Sequence, residues 1–208
     1  MSGNYVINIG RQLGSGGKEI GEKLAARLGI DFYDKELINL ASEESGLCKE
    51  IFEKADEKAS QGIIGGLFGM RFPFISEGAM PCNNCLSNDA LFKVQSDVIR
   101  HLAAEKSCVF VGRCADYILE DIPNHLNVYV YAPDEARLKN CVENLQMDPQ
   151  TAKKMMRDVD AARNRYHKAY IPGWQSVFDH KDLMIDSSRF GIDGTAKILA
   201  DIVKNQWG

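Results

Sequence analysis

The start of this 208-residue chain constrains its fold most tightly. A short apolar run, Tyr5-Val6-Ile7-Asn8-Ile9, is followed by Gly10-Arg11-Gln12-Leu13-Gly14-Ser15-Gly16-Gly17-Lys18. A helical pattern then begins, with Ile20, Leu24, Ala25 and Leu28 on one stripe and Gly29 placed to end it. Strand, glycine-rich turn and helix in this order make an anion cradle. Glycines let the backbone come close, and N–H groups at the helix start point at the bound charge with the helix dipole behind them. The expected ligand is a nucleotide phosphate, held by Gly14, Ser15, Gly16 and Gly17, although a purely structural turn stays open. The turn departs from G-x-x-x-x-G-K-S/T: Gln12 stands at the first glycine, and Glu19 replaces the hydroxyl that would hold Mg²⁺. Arg11 therefore rivals Lys18 as the cation of the loop. A dinucleotide fold is the competing reading, with Asp31 or Asp34 at the ribose, but Glu19 fills its third glycine position.

Further along, apolar runs alternate with helical patterns. Strands are expected at Ile30 to Tyr33, Cys108 to Val111, Leu126 to Tyr131 and Leu183 to Ile185. Helices are expected around Leu37 to Ala41, Lys49 to Lys58, Leu91 to Leu102, Asp134 to Leu145, Pro149 to Tyr166 and Ile198 to Val203. Continuous apolar strands such as Cys108-Val109-Phe110-Val111 suit burial on both faces. The pattern predicts an α/β fold, a parallel sheet with helices on both sides, in a single domain spanning 1–208.

Residues 61–86 break the alternation, with Gly62, Gly65, Gly66 and Gly69 among bulky apolar residues and Pro73 and Pro81 barring a continuous helix. This segment reads either as a packing loop or oligomer contact, which leaves a homodimer open, or as a mobile substrate cover. Cys82 and Cys85 form a C-x-x-C without the second half of a zinc site, so they are incidental, a redox pair or a metal pair. The net charge of −4 argues against nucleic-acid and anionic-membrane partners. Without a signal segment or membrane-length apolar run, a cytoplasmic protein is expected.

Three sets of residues can carry phosphate chemistry. Gly112-Arg113 ends a buried strand, where α/β sheets bind ligands, and an arginine there can fork onto a phosphate. On the Pro149–Tyr166 helix, Ala152, Met155, Val159, Ala162 and Tyr166 form the expected core face. Lys153, Arg157, Asp160 and Asn164 oppose it, with Arg163 on the boundary. Arg157, Asp160 and Arg163 can clamp a triphosphate, or belong to a solvated helix with spaced ion pairs. Arg137 on the preceding helix is a further candidate. The four histidines show no ligand spacing.

Together these pieces resemble the cytidylate kinase-like family, a branch of the P-loop nucleoside monophosphate kinases. The blocks are Ile9 to Gly21, Phe32 to Leu37, Val109 to Leu119, Asp160 to Arg163 with Tyr166, and Asp182 to Ser188. The resemblance implies a three-layer P-loop fold with a helical acceptor-side insert at 34–90 and lid-type helices at 133–166. It implies phosphoryl transfer from ATP with Mg²⁺ to a nucleoside monophosphate or similar small acceptor. Lys18, Arg113, Arg137, Asp160 and Arg163 take the catalytic roles, and Arg11, Gly14, Ser15, Gly16, Gly17, Lys18 and Arg157 hold the cofactor. Cys114 stands where true cytidylate kinases carry an aspartate, and Asp34-Lys35-Glu36-Leu37 replaces their first acceptor-binding segment. These departures motivate the alternative of a nucleotide-binding regulator without efficient transfer.

Overall fold

A computed structural model describes residues 3–44 and 88–208. The expected helix around Lys49 to Lys58, the 61–86 segment and Cys48, Cys82 and Cys85 lie outside the described residues. The elements are β1 (Val6–Arg11), α1 (Gly17–Leu28), β2 (Asp31–Tyr33), α2 (Lys35–Glu44), α3 (Asn88–Glu105), β3 (Cys108–Val111), α4 (Ala115–Ile118), β4 (His125–Tyr131), α5 (Asp134–Glu143), α6 (Pro149–Tyr170), β5 (Leu183–Asp186) and α7 (Ser187–Trp207). Two compact units result: Met1–Glu36 with Ile99–Gly208, and Leu37–Val98. In the second, Ile38, Val94 and Val98 are buried, and Gln95 donates to Asn39 at 2.7 Å.

The larger unit holds a five-stranded, wholly parallel sheet in the order β2-β3-β1-β4-β5. That order differs from the 3-2-1-4-5-6 arrangement of dinucleotide-binding sheets, which removes the competing reading. Ile7 and Ile9 of β1, Val109 and Val111 of β3 and Val128 and Val130 of β4 pack against Ile20, Leu24 and Ala25 of α1. Ala196, Leu199, Ala200 and Val203 of α7 complete this core. Each large side chain so buried contributes about 1.5–3 kcal/mol. The apolar stripe of α1 thereby fixes the turn at its N-terminus over the carboxyl end of β1. Asn8 and Asn127 face each other across β1 and β4 and bond side chain to side chain at 2.8 Å inside the sheet, a polar pin on the strand register.

Helix ends follow their local chemistry. Gly29 closes α1 in the left-handed conformation (φ 67°), where a side chain would be strained. Asp148 caps α6 by accepting from the amides of Gln150 and Thr151, with Pro149 at the first helical position. The helix runs to Tyr170, a turn beyond the expected end.

Candidate active site

The glycine turn is wired from behind. Arg137 Nε of α5 donates to the Leu13 carbonyl at 2.7 Å. Asn140 of α5 donates to the Gly14 carbonyl at 2.9 Å, and the Ser187 hydroxyl opening α7 donates to the Ser15 carbonyl at 2.7 Å. The Leu13 amide donates to Asp160 Oδ1 of α6 at 2.9 Å, while the Ser15 hydroxyl turns back onto Gln12 O. Three consecutive carbonyls are thus drawn into the protein. Gly14 (φ 80°) and Gly16 (φ 74°) take the left-handed turns this path needs. The first intrahelical bond runs from the Ile20 amide to the Gly16 carbonyl. Among the described residues, no protein group accepts from the amides of Gly16, Gly17 and Lys18, the orphan donors of a helix start. A row of amides of this kind can receive an oxyanion.

Beside these amides, four cations meet at the carboxyl ends of the strands. The Arg11 stem lies against α1 so closely that a Cβ on Gly17 would stand 2.5 Å from Arg11 Cβ. Its guanidinium reaches the end of β3, where a Cβ on Gly112 would meet Nη1 at 2.2 Å. Both glycines make room for this one arginine. Arg163 Nη1 donates to the Arg11 carbonyl at 3.0 Å. Arg113 sits over the Tyr166 ring, 5.5 Å from its centroid, with its Nε buried and lacking an acceptor among the described residues. Gly112 (φ 85°), Arg113 (φ 61°) and Cys114 (φ 54°) form three successive left-handed residues, a strained path for the latter two. Lys35, at the start of α2, is the fourth cation.

Burial and mutual repulsion both act on these cations. Burial, then Arg163 and Arg113, push the Arg11 pKa down to about 9. Desolvation and then the neighbouring Arg113 hold Lys35 below the ordinary lysine range. Burial lowers Arg163, against the pull of Asp160, and burial raises the Tyr166 phenol to about 12. An anion placed among these groups relieves their mutual repulsion.

Sequence alone placed Lys18 and Arg11 as rivals, and their surroundings differ. Lys18 is half exposed and its Nζ bridges Asp34 at 2.5 Å and Glu36 at 3.5 Å; the hydrogen bond to Asp34 raises its pKa. Arg11 lies inside the cation cluster. Every nitrogen of Arg137 is engaged: Nε on Leu13, Nη1 on Asp134 at 3.1 Å and Nη2 on Asp160. Arg157 is exposed; with Lys153, Asp134 and Glu135 it lines a 510 Å³ cavity between α5 and α6.

The expected core face of α6 needs correction. Ala152 and Met156 are the buried residues, packing with Cys141, Leu13 and Leu138, whereas Met155 and Val159 are only partly covered. Asp160, Arg163 and Asn164 are half-buried, facing protein; Lys153 and Arg157 face solvent as expected. The helix packs on the polar backbone of the glycine turn, so its inner face carries polar groups that an apolarity ranking assigns to solvent.

The fold has known relatives. The family model described as the cytidylate kinase-like family matches residues 6–189. The chain belongs to the cytidylate kinase-like family. Among solved structures, it is similar to an uncharacterised protein from Eubacterium ventriosum, with 25% identity and a TM-score of 0.68, covering 97% of this chain and 99% of that one. It is also similar in fold to a shikimate kinase from Bacteroides thetaiotaomicron, with 10% identity and a TM-score of 0.53, covering 96% of this chain and 98% of that one. No curated protein matches. The fold is therefore the three-layer P-loop fold of this family. Within that frame, sequence reasoning missed Lys35, Asn140 and Ser187. For Lys35, a charge next to a predicted strand end was the available signal. Asn140 left no local pattern, and Ser187, although within the Asp182 to Ser188 block, acts through a contact distant in sequence that the block does not reveal.

Proposed function

We propose that this cytidylate kinase-like protein transfers a phosphoryl group from ATP to a small anionic acceptor, a nucleoside monophosphate or a similar molecule. The observation that carries the reading is the convergence of Arg11, Arg113 and Arg163 beside a glycine turn whose Gly16, Gly17 and Lys18 amides have no acceptor among the described residues. Phosphoryl transfer asks for in-line positioning and spread positive charge more than for covalent help.

The donor phosphates fit the amides of Gly14, Ser15, Gly16, Gly17 and Lys18. The Lys18 ammonium leaves Asp34 and Glu36 to reach them. Arg113 holds the anionic group of the acceptor, and Arg11 and Arg163 face the phosphoryl group between donor and acceptor. Asp160 and Arg137 keep the loop in shape, and Arg157 remains a candidate donor contact from the outer face of α6. Asp34 and Glu36 pair with Lys18, and the described residues hold no cluster of three carboxylates, so Mg²⁺ would arrive on the donor phosphates rather than in a ready-made protein cage. Mg²⁺ there would neutralise charge on the phosphate oxygens. The 34–90 segment is assigned to the acceptor side and 133–166 to a closing lid that excludes water.

A coupled ADP-release assay over a panel of acceptors, nucleoside monophosphates included, tests the reading. Acceptor-dependent ADP release supports it. Tight ATP binding with no transfer to any member turns the conclusion to a nucleotide-binding regulator.

A further inference from the structure

Lys181 has no place in the phosphate chemistry above, yet it lies against the segments of Arg11 and Arg113 and reaches that of Arg163 through Trp174. Its ammonium is paired with Asp116 in the interior, the side chains being 3% and 8% exposed. It also donates to the Asp179 carbonyl at 3.0 Å and lies 5.6 Å from the centroid of the Trp174 ring. Asp116 sits three residues beyond Arg113, directly after the left-handed run. Trp174 leads to α6: its indole N–H donates to Asn164 at 2.8 Å, and its ring packs 4.5 Å from that of His167, whose Nδ1 bonds the Arg163 carbonyl at 2.8 Å. The Lys181 stem also passes under Gly10, where an added Cβ would stand 3.3 Å from Lys181 Cε, and the next residue is Arg11.

We infer that Lys181 is a positioning residue that sets the spacing of Arg11, Arg113 and Arg163 and so tunes the affinity of the site for anions. The inference rests on the anion-binding reading proposed above. Strained residues keep a sparsely populated conformation only when their surroundings over-determine it. The Asp116–Lys181 pair is a buried ionic anchor of the segment following Arg113, and Trp174 ties the same ammonium to the helix carrying Arg163. Glycine at position 10 makes room for two neighbours, since an added Cβ would stand 2.9 Å from Tyr129 Cδ2 as well as 3.3 Å from Lys181 Cε.

Inorganic pyrophosphate, titrated calorimetrically into the intact chain, tests this. Lys181→Met should weaken binding roughly tenfold, the loss of about one hydrogen bond to a charged group. Removing one buried partner can unfold a protein, so the paired variant Lys181→Met/Asp116→Leu, which strands no charge, supplies the folded comparison. It should show the same weakening with a cooperative thermal transition. Combined with Arg113→Ala, it should lose less than the sum of the two separate losses, because residues acting through one another are not additive. Additive losses, or wild-type affinity in the paired variant, overturn the inference. Wild-type protein that ignores pyrophosphate overturns instead the anion reading beneath it. A second readout is optical: Trp207 stacks on Tyr5 at 5.2 Å, and Trp207→Phe leaves Trp174 as the reporter. Its emission should shift on pyrophosphate binding; an unresponsive Trp174 in a protein that binds counts against the connection.

Discussion

Arg11 is the residue around which the site is built, and two glycines are explained by it. At Gly112, alanine would carry both the left-handed penalty of about 1–2 kcal/mol and a Cβ lodged against Nη1. Gly112→Ala should therefore lower the urea midpoint and weaken pyrophosphate binding together, because Arg11 has to leave its place. Unchanged pyrophosphate affinity in a destabilised Gly112→Ala protein would show that Arg11 does not need that route. Arg113→Ala should weaken acceptor binding by about 1.5–3 kcal/mol, the range for a hydrogen bond to a charged group, with donor affinity kept. Equal acceptor KM in wild type and variant rejects the assignment. The type and position of both arginines were legible in the sequence, as residues next to predicted strand ends. Their convergence was not, because it depends on Arg11 passing over Gly17 to Gly112, a path set by side-chain packing between strands remote in the chain.

At the level of elements, α6 does more than carry arginines. Asp160 accepts from the Leu13 amide, pairs with Arg137 and lies 3.3 Å from Arg163 Nη1, so it joins α5, α6 and the glycine turn. Asp160→Ala releases all three and should cost about 2 kcal/mol in chemical denaturation, half exposure of the group tempering the loss. The KM for ATP should rise with it, whereas Asp160→Asn, which keeps an oxygen for Leu13, should fall between. Equal KM in all three proteins separates the turn from α6. The helix was legible from Asp148-Pro149 and its periodicity, but its rotation was not. Periodicity weighs apolar side chains, and here the neighbour is a polar backbone that rewards a carboxylate. His167, one turn beyond Arg163, adds a pH dependence. Burial lowers its pKa, against the Arg163 carbonyl and Asp116, with Lys181 and Arg11 acting the same way as burial. The unfolded chain binds this proton near pH 6.5 and the folded chain only at lower pH, so protons favour the unfolded state. Thermal stability should fall as pH drops below about 6.5, and His167→Gln should flatten that slope. Parallel slopes in the two proteins place the dependence on other groups.

For the whole molecule, net charge and local charge point in opposite directions. The chain carries −4 overall, yet Arg11, Arg113, Arg163 and Lys35 stand together while the nearby carboxylates are engaged: Asp34 and Glu36 with Lys18, Asp160 with Arg137 and Arg163. Composition therefore excludes a general polyanion surface without excluding a point site for phosphate, since a single concentrated cluster barely alters the sum. The clustered cations repel one another, and a multivalent anion bound among them offsets that repulsion. A ligand that binds only the folded state adds RT ln(1 + [L]/Kd), about 2.7 kcal/mol at a hundredfold excess over Kd. Pyrophosphate should accordingly raise the melting temperature well beyond chloride at matched ionic strength, because chloride screens the cluster but cannot span it. Alanine at Arg11 or Arg113 should raise the melting temperature without ligand or leave it unmoved, having relieved the repulsion, and should shrink the pyrophosphate increment. If chloride matches pyrophosphate at equal ionic strength, the cluster is only a screened surface charge and the phosphate site fails. If the increment persists in full in both alanine variants, the anion is held by the glycine turn alone and the arginines have no part in it.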